Sequence, residues 1–96
     1  MPSTEIPIES EIEQLVPQFL SSRQLDIEKL SQYIDANDFD QIQKMSHTIV
    51  GIARPYGFPT LELMSQTIEK AAKEKNMQKI SEQQALIKKY LEQFQK

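Results

Sequence analysis

The segment KMSHTIVGIARPYGF, residues 44–58, holds the chain's one histidine, His47, and both of its glycines, Gly51 and Gly57. An imidazole can ligate a metal, act as a general base, or attack an electrophile itself. A metal site needs several ligands, and one histidine in a chain without cysteine supplies too few, so no metal site is expected. A hydrolytic triad needs a nucleophile within reach of the base. Ser46 is adjacent in sequence but about 100° away around a helix, so it faces elsewhere. Neither a G-x-x-x-x-G-K-[ST] loop nor a kinase-type glycine loop is present, so no ATP site is expected. What remains is imidazole as the nucleophile, a role suited to pH 7 because an unperturbed ring titrates near ~6.5.

The helix that carries His47 decides where the ring points. Phe39, Ile42, Met45, Ile49, Ile52 and Tyr56 recur at threes and fours. At 100° per residue from Phe39 they cluster around ~280°, and His47 falls near ~80°, opposite the core. Gln43, Lys44, Arg54 and Asp40 share the histidine's side of the wheel. Gly51 lies beside His47, one turn on. A mid-helix glycine costs on the order of 1 kcal/mol against alanine. On an exposed face the chain's own packing does not explain that cost. A partner that must approach the backbone closely would.

Around this helix the sequence reads as helical throughout. Residues 1–8, with two of the five prolines, form a loose lead-in, and one domain is expected over 9–96. Ile12, Leu15, Val16, Phe19 and Leu20 make one apolar face, continued by Ile27, Leu30 and Ile34. Pro17 interrupts this pattern and predicts a short helix near 9–16 followed by a longer one over 17–36. Asn37 or Asp38 caps the histidine helix, and Pro55 and Gly57 end it. Pro59 opens a further helix with the stripe Leu61, Met64, Ile68, Ala71 and Ala72. Asn76 caps the last, whose seam is Met77, Ile80, Ile87, Leu91 and Phe94, with polar Gln84 at one expected apolar position. Short connections imply antiparallel neighbours. The expected fold is an all-α, up-down antiparallel four-helix bundle with a short extra N-terminal helix.

Composition narrows the function classes. A net charge of −3 and a pI near 5.1 argue against a nucleic-acid binder. The N-terminus has neither a basic start nor an apolar run, so it is not a signal peptide, and nothing approaches the ~20 apolar residues of a membrane span. A cytoplasmic, monomeric protein is expected, and the Met1 start favours a complete small protein.

The stretch SHTIVGIARPYGFPTLELMSQTIEKAAKEKN resembles the histidine-containing phosphotransfer (HPt) domain, whose pattern is H-x-L-K-G-x-[SA]-x-x-x-G. His47 matches the phospho-accepting histidine, Ile49 the apolar position, Gly51 and Gly57 the two glycines, and Ala53 the small residue. The upstream LVPQFLSSRQLDIEKLSQYIDANDFDQIQKMSH is similar to the family's first long helix and turn. Val50 departs from the pattern, standing where the family usually carries lysine or arginine. Lys44 and Arg54 are the candidates to supply that charge. The resemblance implies a phosphorelay carrier without kinase activity of its own. It would accept a phosphoryl group on His47 and exchange it with an aspartate of a receiver domain, in a response regulator or hybrid histidine kinase, that brings its own Mg²⁺. Gln43, Lys44, Gly51, Arg54 and Glu69 are supporting candidates, Glu69 by orienting the ring. Val50, Gly51 and Gly57, with Ile8 or Ile12, are candidates for the docking rim. The alternative is a non-phosphorylated helical adaptor that binds a receiver-like partner, its histidine vestigial.

Overall fold

A computed structural model describes the backbone of residues 5–94 and the side chains of residues 15–94. The side chains of Ile8 and Ile12, and residues 1–4 of the expected lead-in, lie outside the described residues. The described chain is all-helical: α1 spans Glu5–Asp35, α2 Phe39–Ala53, α3 Pro59–Lys73 and α4 Met77–Glu92.

The expected break at Pro17 does not occur. α1 is one helix of 31 residues with Pro17 inside it, and it already includes residues 5–8. A proline removes one backbone donor and crowds the preceding turn. Here its ring is exposed and displaces nothing from the core. Downstream, Phe19, Leu20, Ile27 and Leu30 are all buried, so tertiary packing holds the helix through the weak point.

All three links between helices use the same device. A residue with positive φ follows each helix: Asn37 at 54°, Gly57 at 85° and Lys75 at 56°. The next residue then donates its N–H five residues back, Asp38 to Tyr33, Phe58 to Ala53 and Asn76 to Ala71, at 2.9, 3.0 and 2.8 Å. This satisfies carbonyls that a helix end would otherwise orphan. Asp38 and Asn76 then cap the following helices, accepting from the N–H groups of Gln41 and Lys79. Pro59 begins α3, where its missing N–H costs no bond.

Contacts run α1 to α2, α2 to α3, α3 to α4 and α1 to α4, with none across either diagonal among the described residues. The α2–α3 pair has the most extensive contact. The buried positions of these helices include small residues, Ser46 and Ala53 on α2 and Ser65, Ala71 and Ala72 on α3. Ser46 donates to the Ile42 carbonyl at 2.8 Å, whereas the buried Ser65 hydroxyl has no partner.

Gln84, the polar residue in the α4 seam, has a specific task. Its amide donates to the Ile27 carbonyl at 3.0 Å and to Ser31 Oγ at 2.7 Å, tying α4 to α1. Leu15, expected in the buried face, is 45% exposed instead. Phe19 stacks on Tyr56 and Phe58, beyond the last turn of α2, while Leu15, one turn earlier, borders an open groove with Ile52 and Tyr56. Phe94, expected in the α4 seam, is 40% exposed and meets Phe58 and Tyr90 edge-on.

Candidate functional site

His47 lies in the middle of α2, and its side chain is 76% exposed. The outward direction follows from the register, because Ile42, Ser46, Ile49 and Ala53 hold the opposite face in the core. Glu69 approaches from α3. Its Oε2 lies 2.9 Å from His47 Nδ1, and its side chain is only 17% exposed. A carboxylate can only accept, so Nδ1 carries the hydrogen in this contact. That tautomer leaves the lone pair on Nε2, on the far side of the ring. The close α2–α3 packing brings two side chains 22 residues apart in sequence to hydrogen-bonding distance.

Gln43, Lys44, His47, Thr48 and Glu69 line one open concavity. Lys44 precedes His47 by one turn and is exposed. Thr48, which sequence reasoning did not single out, donates its hydroxyl to the Lys44 carbonyl at 3.0 Å. Its adjacency to His47 was the only signal available.

Gly51 is exposed, and a Cβ built on it would meet nothing within 4 Å. The surface beside the imidazole is therefore open down to the backbone. Val50 is half-buried.

Arg54 and Gly57 do not line this concavity. Arg54 forms a two-point pair with Glu62, Nη2 to Oε2 at 2.7 Å and Nε to Oε1 at 3.2 Å. Glu62 is buried, its side chain 10% exposed, so this guanidinium neutralises a carboxylate at the start of α3. The helical wheel put Arg54 on the histidine's side, but it could not register a partner from another helix. Gly57 supplies the positive φ of the α2–α3 link. Its conformation is a requirement of the turn, since an L-residue is strained there.

A family model for the Hpt domain matches residues 14–96, from the first third of α1 to the last residue. The chain belongs to the Hpt domain family. A comparison with the curated proteins found no match, and neither did one with the solved structures. As an Hpt domain the protein is a phosphotransfer carrier of two-component signalling, a class distinct from the kinases. The Hpt match spans every residue that lines the His47 concavity.

Proposed function

We propose that His47 is the phospho-acceptor and that it exchanges its phosphoryl group with an aspartate of a receiver domain. The observation that carries this reading is the outward ring held by Glu69 through Nδ1, with Nε2 free.

In the forward step the Nε2 lone pair attacks the phosphorus of the receiver's aspartyl phosphate. The N–P bond forms as the P–O bond to the aspartate breaks, and the aspartate leaves as a carboxylate. The ring acquires positive charge, and its Nδ1–H remains directed at the Glu69 carboxylate, which stabilises that charge. Transfer back to an aspartate reverses these bond changes. Such a transition state is loose, so the chain contributes position and charge more than covalent chemistry. The Mg²⁺ would come with the receiver. Gly51 contributes by absence, leaving room for the receiver to bring its aspartate to the ring.

The arrangement suited to this task is an up-down antiparallel bundle. It is supported by the ring of neighbour contacts without diagonals and by the short links. No helix among the described residues is long and apolar enough to cross a membrane. We place the exchange in the cytoplasm and take the protein to act as a monomer there.

The test is incubation with a phosphorylated receiver domain, followed by analysis of label on the chain. Acid-labile, base-stable label on wild type and none on a folded His47→Gln variant is the expected result. Label that persists on His47→Gln would sink the assignment.

A further inference from the structure

We infer that the Lys44 ammonium is the cation that binds the phosphoryl group on His47. This rests on the acceptor reading above and adds to it the source of the charge.

A phosphoryl group on Nε2 carries close to two negative charges and enters a concavity that already contains the Glu69 carboxylate. Without a counter-charge this placement is unfavourable, and a transferring phosphoryl group is commonly stabilised by a fixed cation. On the histidine's side of α2 there are two cations, Lys44 and Arg54. Arg54 is bound at two points to the buried Glu62, and withdrawing it would strand that carboxylate. Val50, one turn after the histidine, brings no charge.

Lys44 meets each requirement. It is the one cation lining the concavity. Residues three apart on a helix are surface neighbours, about 5–6 Å between Cβ atoms, so a lysine stem spans the distance. Among the described residues Lys44 is in no ion pair. Asp40, one turn before it, is not within ion-pair distance, and Asp26, across the α1–α2 groove, is bound by Arg23 at 2.8 Å. Lys44 borders that groove as well as the histidine's concavity, so its stem lies on the ridge between them. Its charge is therefore uncommitted until a phosphoryl group arrives.

The experiment uses the full chain with its lysines ¹³C-methylated, which preserves their charge. Phosphoramidate, which needs no receiver, phosphorylates His47, and the Lys44 signal is assigned by its loss in Lys44→Arg. On phosphorylation the Lys44 signal is expected to move more than that of any other lysine. In a second arm, transfer from one phospho-receiver slows about two- to fivefold in Lys44→Gln and is unchanged in Lys88→Gln, a distant α4 control. An unmoved Lys44 signal, a larger shift at Lys70 or Lys73, or wild-type transfer by Lys44→Gln would overturn the inference. If phosphoramidate labels His47 but no receiver exchanges with it, the receiver reading fails while the Lys44 result is still read. An unlabelled His47 overturns both.

Discussion

At the scale of single residues, the site is built as much from what is missing as from what is present. Gly51 lacks a side chain where one would meet nothing of its own chain. Gly51→Leu should therefore stabilise α2 by up to ~1 kcal/mol through helix propensity while obstructing the receiver. Thermal melts and receiver binding would move in opposite directions. Unchanged binding by the leucine variant would remove the clearance argument. Val50 lacks a charge at a position three residues from the imidazole. Val50→Lys should raise the transfer rate, by about two- to fivefold when Lys44 has been replaced by Gln and by less beside the native lysine. Transfer kinetics across this double-mutant cycle, at one salt concentration, give the coupling. Equal gains in both backgrounds would mean that the two positions act independently. The exposure of His47 was legible from the spacing of Ile42, Ile49 and their neighbours. The commitment of Arg54 to Glu62 was not, since a single-helix wheel contains no information about α3.

At the scale of elements, the helix boundaries came from local chemistry and the interruptions did not. Asp38, Pro59 and Asn76 mark helix starts because their side chains or rings suit a first turn wherever the helix then packs. Lys75 was not legible as a left-handed residue, because lysine has no preference for that region and the turn imposes it. Lys75→Gly should relieve this strain and stabilise the protein by about 1 kcal/mol, a gain visible as a higher denaturation midpoint. A lower midpoint would mean that the left-handed geometry carries no strain. Gln84 is the reverse case, a polar residue whose partners Ile27 and Ser31 lie more than fifty positions away. Gln84→Ala removes two hydrogen bonds between α4 and α1 and should cost about 1–2 kcal/mol. Urea melts would detect it, and a neutral result would show that water replaces the amide without loss.

At the scale of the whole molecule, one titration reports on how the helices close together. Tyr90 on α4 is half-buried, meets Phe94 edge-on, and has its hydroxyl pKa pushed above the ordinary value of 10.0 by desolvation. A folded-state pKa above the unfolded one favours the native state below pH ~10, and the contribution fades as pH rises through the folded value. Stability should therefore fall more steeply above pH ~10 in wild type than in Tyr90→Phe. Melting temperatures of the two proteins between pH 9 and 11 would separate this group from the lysines, which titrate in both. Parallel curves would mean that the Tyr90 hydroxyl is solvated.

The sequence by itself determined the helical class, the caps, the outward face of His47 and the open space at Gly51. Each depends on residues within a few turns of one another, where periodicity and backbone propensity act directly. Tertiary structure decided the rest. α1 runs unbroken through Pro17 because buried side chains downstream outweigh one lost backbone bond. Leu15 is exposed because it borders an open groove beside Ile52 and Tyr56 that no other element fills. Arg54 turns to Glu62, and Glu69 reaches the imidazole, because the extensive packing of α3 on α2 aligns side chains distant in sequence. Local pattern set which side of the helix bears the histidine. The packing of a second helix set which of its ring nitrogens faces outward.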